Sequence, residues 1–328
     1  MTTLVTGANG FIGAAVVRAL LEAGQQVRAL VRAGSDRSNL HGVDVEVVEG
    51  DITVAETLDA AMTGCRFVFH LAADYRLWVP DPKPMYATNV QGSVNVIEAA
   101  ARAGVEKLVY TSSVAVLGAN ADGTPADEAT PVAVEDMIGH YKRSKYLAEE
   151  AVGKRAHELG LAVVTVNPST PIGPGDIKPT PTGRIIVDAA AGRIPAYVDT
   201  GLNVVHVDDV AGGHLLALGS GISGQRYILG GTDLSLRQIL SLVAARTGRS
   251  SPRVRLPHWF VAPVAYVSEG WARLTGTEPR VSVDGVRMSA KRMYFSSAKA
   301  VRELGYRSRP PEEAISAALG WFQEHKYL

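Results

Sequence analysis

Apolar residues in the first half of the chain fall into short runs. These are Thr3–Thr6, Gln26–Val31, Val43–Glu49, Phe67–His70, Lys107–Thr111 and Ala162–Asn167. Short runs rich in Val, Leu and Phe suit strands buried on both faces. Between them lie stretches with a helical repeat, for example Asn89–Arg102 and Tyr141–Leu159. This alternation predicts βαβ units, hence an α/β fold built on a doubly wound parallel sheet. Ligands of such sheets sit at the carboxyl ends of the strands.

The texture changes after residue 166. Pro168, Pro171, Pro174, Pro179 and Pro181 crowd together with Gly173, Gly175 and Gly183. That density argues against a helix or a central strand and predicts an ordered loop leaving the sheet. Shorter strands and helices follow, ending in an amphipathic helix near Pro311–His325. Trp259, Phe260, Val261 and Tyr266 read as core of this second region, with cover for an apolar, polycyclic substrate as the alternative. The expected division is a ligand-binding sheet domain over 1–166, with return segments near 204–230, and a smaller α/β substrate domain over 167–328.

The first strand runs into Thr6-Gly7-Ala8-Asn9-Gly10-Phe11-Ile12-Gly13, and a helical stretch, Ala14 to Leu21, follows. Strand, glycine turn and helix N-terminus together make a pyrophosphate cradle, because backbone N–H groups and the helix dipole converge there. Composition narrows the setting. With 46% hydrophobic and 20% charged residues the chain is an ordinary globular protein. Zero formal net charge removes the electrostatic case for nucleic acid. The single cysteine, Cys65, excludes an internal disulfide and fits a reducing compartment. With no basic segment before an apolar stretch and no run of about twenty apolar residues, a cytoplasmic protein without an integral membrane segment is expected, peripheral membrane contact being left open.

Tyr141 and Lys145 are four residues apart, so a helix places them on one face. A cation near a phenol lowers its pKa from about 10 and equips it for proton transfer near neutrality. Leu108-Val109-Tyr110-Thr111-Ser112-Ser113 ends a strand in hydroxyls, where a Ser can hydrogen-bond a substrate oxygen or cap the chain. The histidines lack metal-ligand spacing and no metal is expected. His70 and His206 read as structural, and His140 as pocket lining or an exposed helix start. The second strand, Val27 to Val31, has no acid at its end. Arg32 follows, with Ser35, Arg37 and Ser38 beyond. A guanidinium there suits a ribose 2′-phosphate. NADP is therefore expected, with NAD as the alternative and Asp36 as the counter-argument.

Together these features resemble the extended short-chain dehydrogenase/reductases, the NAD-dependent epimerase/dehydratase group with a Rossmann sheet. Asp51-Ile52, His70-Leu71-Ala72-Ala73, Asn89-Val90-Gln91-Gly92-Ser93 and Val205-His206-Val207-Asp208-Asp209-Val210 match further motifs of that group. The resemblance implies catalytic Ser113, Tyr141 and Lys145, with Tyr141 as acid/base and Asn89 in support. It implies cofactor contacts from Thr6, Gly7, Asn9, Gly10, Phe11, Ile12, Gly13, Arg32, Asp51, Ile52, Leu71, Ala72, Ala73, Thr111, Tyr141, Lys145, Pro168 and Thr170. Arg28, Val31-Arg32, Tyr110 to Ser113 and Gly173-Pro174 look like the dihydroflavonol reductase group. Ala72 to Trp78, Ile138 to Lys145, Asn167 to Pro174 and Ile177 to Arg184 look like hopanoid-associated sugar epimerases. Asn167 matches a nucleotide-sugar phosphate position, whereas Val164-Thr165-Val166 and Asn203-Val204 depart from the nucleotide-sugar pattern. The implied activity is NADPH-dependent reduction of a carbonyl on a small-molecule substrate, with sugar epimerisation or dehydration as the alternative. The resemblance also implies a homodimer joined through the helices after Asn89 and around Tyr141. Ala99, Ala100, Ala101 and Ala103 serve either that packing or the sheet.

Overall fold

The computed structural model describes residues 2–279 and 281–328, so Met1 of the expected sheet domain lies outside the described residues. The chain enters as β1 (Thr2–Thr6), passes the glycine loop into α1 (Phe11–Glu22) and returns as β2 (Gln26–Val31). Then come β3 (Glu46–Glu49), α2 (Glu56–Met62), β4 (Cys65–His70), α3 (Lys83–Tyr86), α4 (Gly92–Arg102), β5 (Lys107–Thr111), α5 (Gly139–Leu159) and β6 (Val163–Pro168). The helix expected from Asn89 opens with a π turn at Ala87–Gln91, a local widening often found at functional sites. β7 (Thr170–Ile172), α6 (Pro181–Ala190), β8 (Ala196–Val198), β9 (Gly201–His206) and α7 (Val207–Ser220) lead to β10 (Arg226–Leu229).

β10 returns beside β6, so the main sheet has seven parallel strands in the order β10-β6-β5-β4-β1-β2-β3. The direction of winding reverses between β1 and β4, and a crevice opens there at the strand ends. Val16, Val17, Leu20, Val210 and Ala217, from α1 and α7, cover one face. Val96, Ile97, Ala99, Ala100, Val152 and Ala156, from α4 and α5, cover the other. Ala99 and Ala100 are therefore spent on the sheet, while Ala103 is exposed.

The remaining elements are β11 (Thr232–Ser235), α8 (Leu236–Thr247), β12 (Val254–Leu256), α9 (His258–Thr275), α10 (Val283–Ser289), β13 (Arg292–Met293), α11 (Ala298–Leu304) and α12 (Pro311–Glu324). A small mixed sheet forms around β9, which pairs with β11 antiparallel and with β7 and β13 parallel. Ile186, Ile239, Val243, Ile315 and Phe322 from α6, α8 and α12 pack with it.

Two expectations are corrected. The proline-rich segment is not all loop. Pro171 lies in the short strand β7, and Pro181 is the first residue of α6, capped by the Thr180 hydroxyl. Proline's fixed φ suits that first helical position, where its missing N–H is not needed. The stretch around Trp259 is not core. Trp259 is 75% exposed and Phe260 54%, on the outer face of α9.

Leu20 has no exposed surface in the packing between α1 and the sheet. Leu20→Ala is expected to destabilise the fold by about 2–5 kcal/mol, seen as a lower denaturation midpoint with an unchanged slope.

Candidate active site

The glycine loop is shaped by contact with the neighbouring strand end. Gly7 has φ +66°, and a Cβ there would stand 2.8 Å from the Ala72 nitrogen. A Cβ on Gly13 would stand 2.1 Å from the Gly7 carbonyl oxygen. Only hydrogen fits at either place. The Gly10 N–H donates to the Gly7 carbonyl at 2.9 Å and closes the turn. α1 begins directly after it with no acidic residue in its first turn. The N–H groups of Phe11, Ile12 and Gly13 are those that a helix start leaves without intrahelical partners. They and the dipole favour an anion there, so the loop fits the pyrophosphate of a dinucleotide. Asn9 is held from both sides: its amide donates to the Asp36 carbonyl at 2.7 Å, and Asn39 donates to its carbonyl at 3.3 Å.

Behind this loop runs a buried hydrogen-bond chain. The Thr6 hydroxyl accepts the N–H groups of Leu71 and Ala72, each at 3.1 Å, and donates to His70 Nδ1 at 2.7 Å. His70 Nε2 donates to Ser93 Oγ at 2.9 Å, and that hydroxyl donates to the Asn89 carbonyl at 2.7 Å. Asn89 accepts the Asp74 N–H at 2.7 Å and donates to the Asp74 carbonyl and to Ser144 Oγ, both at 2.9 Å. Ser144 donates to the Tyr141 carbonyl at 2.9 Å. Thr6, proposed from the family resemblance as a cofactor contact, is fully buried. Its side chain shapes the crevice from behind, while Leu71, Ala72 and Ala73 are part-exposed along it.

β5 ends at Thr111, and its continuation delivers Ser113 opposite α5. Ser113 caps a short turn by accepting the Ala115 N–H at 3.1 Å, and its hydroxyl is also close enough to the Tyr141 phenol to favour the ionised form. Capping and a role beside Tyr141 are thus compatible in one hydroxyl. Lys145 is buried. Its ammonium donates to the Thr111 carbonyl at 2.9 Å and the Tyr110 hydroxyl at 3.3 Å. Burial pulls Lys145 down to about 8, against the opposing charge of Glu149. The expected lowering of Tyr141 by Lys145 is corrected: burial pushes the phenol up, and the Ser113 hydroxyl opposes the rise. The ammonium is committed to the end of β5, so desolvation governs the phenol. Thr111 offers its carbonyl to Lys145 and points its hydroxyl at His214, 2.9 Å away.

At the end of β2, the Asp36 carboxylate accepts from the Ser38 N–H and hydroxyl, and Arg37 pairs with Glu49. Arg32 is exposed and makes no ion pair among the described residues. Burial pushes the Asp74 carboxyl up, but the hydrogen bonds and charge of Arg76, with the charge of Arg32, hold it below its usual value. The Asp51 carboxylate accepts from Thr53, and the Ile52 carbonyl accepts the Asn95 amide at 2.9 Å. Pro168 closes β6 and Thr170 opens β7 across the crevice from α5. His140 is exposed at the start of α5, edge-on to Tyr86. His206 caps α7. Among the described residues no cluster of His, Cys, Asp or Glu could hold a metal.

The sequence reading missed Glu149 and Ser144. Glu149 accepts the Asn167 amide at 3.1 Å and pairs with Arg226 at 3.2 Å, and the same Asn167 nitrogen reaches the Ser113 carbonyl at 3.1 Å. The signal was present: Tyr141, Lys145 and Glu149 recur every four residues on one helix face. Asn167 is fully buried, with its amide nitrogen committed inside the fold.

Residues 3–230 match the NAD dependent epimerase/dehydratase family. The chain belongs to that family. It is an extended short-chain dehydrogenase/reductase, an oxidoreductase of an NAD(P)-dependent group. A Synechocystis sp. protein bearing the name dihydroflavonol 4-reductase is 47% identical, over 99% of this chain and 95% of its own. Sterol demethylase protein B of Methylococcus capsulatus is 34% identical, over 99% of both. The crystal structure of gox2253 superimposes with a TM-score of 0.90 at 52% identity, covering 100% of this chain and 99% of that one.

Burial holds His70 down to about 3 and His214 down to about 4. Both are neutral in the fold, and an unfolded chain takes up their protons below about 6.5. Stability therefore falls as pH drops from about 6.5 toward these values, and above about 7 the two contribute no pH dependence. His70→Asn is expected to unfold at a lower temperature than the parent at pH 7.5 but to lose less between pH 7 and pH 5. Thermal unfolding at these pH values checks this.

Proposed function

We propose that this enzyme is an NADPH-dependent carbonyl reductase. The end of β2 carries the reading: Arg32 is exposed and in no salt bridge among the described residues, the Asp74 carboxylate whose charge it feels being paired to Arg76, while Asp36 is tied into its own turn and Glu49 is tied to Arg37. A 2′-phosphate matches a free guanidinium. The glycine loop would hold the pyrophosphate, with Arg32 at the adenosine ribose and Lys145 and Tyr141 on the nicotinamide side. When bound, the nicotinamide supplies or accepts the hydride.

The chain's own residues handle the oxygen. Burial keeps the Tyr141 phenol protonated at neutral pH, which suits a donor to the oxygen of a carbonyl being reduced. Ser113 Oγ, beside that phenol, stabilises the charge developing on the same oxygen. Lys145, an ammonium through most of the range below about 8, holds the end of β5 and keeps a positive charge behind the site. Nucleotide-sugar epimerisation drew its support from the resemblance to hopanoid-associated sugar epimerases and from Asn167, whose amide nitrogen donates to the Ser113 carbonyl and to Glu149 inside the fold. The names of the two relatives, a dihydroflavonol reductase and a sterol-processing protein, support a polycyclic, largely apolar carbonyl substrate.

Incubation with NADPH and a panel of aldehydes and ketones is expected to consume the cofactor. Sugar interconversion without net consumption, and no carbonyl turnover, defeats the reading. Tyr141→Phe is expected to lower kcat by about 10²-fold or more with the fold intact. Arg32→Ala is expected to raise KM for NADPH by about tenfold, on the order of 1.4 kcal/mol, and to leave KM for NADH nearly unchanged. Equal loss for both cofactors removes the phosphate-reading role.

A further inference from the structure

α9 is amphipathic the wrong way round for a surface helix, which normally turns its apolar stripe to the core. Phe260, Val264, Val267, Trp271 and Leu274 recur at helical spacing and are all exposed, from 53% to 85%. Trp259 and Tyr266 flank them at 75% and 60%. The inner side is the polar one. His258 bonds the Ser289 carbonyl at 3.0 Å, Ser268 accepts the Val281 N–H at 3.4 Å and Glu269 accepts the Val283 N–H at 2.7 Å. Ala265 and Ala272 complete the inner face, buried in the packing of α9 beside α10. The helix is thus anchored by polar bonds and presents about 21 Å of apolar stripe outward, from Phe260 to Leu274.

The charge around it is one-sided. Residues 249–293 hold eight Lys or Arg and three Asp or Glu, a net of +5 in a chain whose net charge is zero. Asp199 reaches Arg255 and Arg292, each at 3.5 Å, and counting it still leaves an excess of four. Arg253, Arg255, Arg273 and Arg287 are exposed beside α9 or on it.

We propose that α9 is an interfacial helix that docks this enzyme on an anionic lipid surface. A tryptophan and a tyrosine at the margin of an apolar stripe that itself contains a second tryptophan, with arginines around it, match what the boundary between headgroups and acyl chains accepts. A second copy of the chain fits less well, because apposing two α9 faces brings two cationic regions together. A spanning segment is excluded among the described helices, since none is long and apolar enough to cross a bilayer. The helix lies in the interface, and its attachment is reversible. The docking is independent of which reaction the active site performs.

The test is co-sedimentation of the full chain with vesicles of phosphatidylglycerol and phosphatidylcholine, against vesicles of phosphatidylcholine alone. Binding is expected to be at least about tenfold stronger to the anionic vesicles and to weaken in about 0.5 M salt. A blue shift of tryptophan emission should accompany it. Trp259→Ser combined with Trp271→Ser is expected to reduce partitioning by about tenfold or more while leaving thermal unfolding and NADPH oxidation in solution unchanged. Arg253→Glu combined with Arg273→Glu is expected to remove the preference for anionic lipid. No binding to anionic vesicles, or unchanged binding by the double tryptophan variant, overturns the proposal. So does a concentration-dependent dimer that the tryptophan variant abolishes, which would make this face a self-association surface.

Discussion

The hydrogen-bond chain from Thr6 through His70, Ser93 and Asn89 to Ser144 is the constraint on which the site depends. It starts at the last residue of β1, crosses the end of β4, passes Ser93 in the first turn of α4 to Asn89 in the π turn, and ends on α5. Those segments carry the glycine loop, the crevice wall and Tyr141. None of its members can turn to water for a substitute partner, and a buried polar group left unpaired costs roughly 1–3 kcal/mol. Each link also determines the next. Because Thr6 accepts two backbone N–H groups, its proton goes to His70 Nδ1, and the other imidazole nitrogen must donate to Ser93. The chain therefore fixes a tautomer as well as a geometry.

Burial does a second job at the same place. It holds His70 and His214 neutral, lowers Lys145 and raises Tyr141. Burial thus favours the uncharged form of both: it moves the Tyr141 phenol further above neutral pH and brings the Lys145 ammonium down to about 8. The phenol stays a proton donor, and the ammonium comes near to releasing its proton. The carbonyl of Thr111 and the hydroxyl of Tyr110 orient Lys145, while Glu149, one turn further along α5, offsets part of its desolvation. Glu149 also links Asn167 and Arg226, so β10, a late arrival in the chain, braces the strand end that carries Ser113.

Local rules carry a long way in this protein. The strand ends at Thr6, Val31, His70 and Thr111 were legible because parallel strands buried on both faces read as short apolar runs. The glycine loop was legible because its three glycines sit between an apolar strand run and a helical stretch, and the structure shows that Gly7 and Gly13 admit only hydrogen. The role of Pro181 was hidden, because the same residue that breaks a helix interior suits its first turn, and spacing alone cannot say which applies. The exposed face of α9 was hidden for a different reason. An apolar repeat looks the same whether its stripe faces core or solvent, and only the neighbours decide.

The sequence by itself determined the fold class, the pyrophosphate cradle and the Tyr141/Lys145 pair, all of which follow from contacts within a few residues or from a strict alternation of elements. Tertiary structure decided what Lys145 touches, which carboxylates near Arg32 are already spent, that Asn167 faces inward, and which side of α9 meets solvent. Most of these are set by groups brought together from different elements of the chain, and desolvation, the largest influence on the titrating groups of the site, has no meaning until those groups have been packed together.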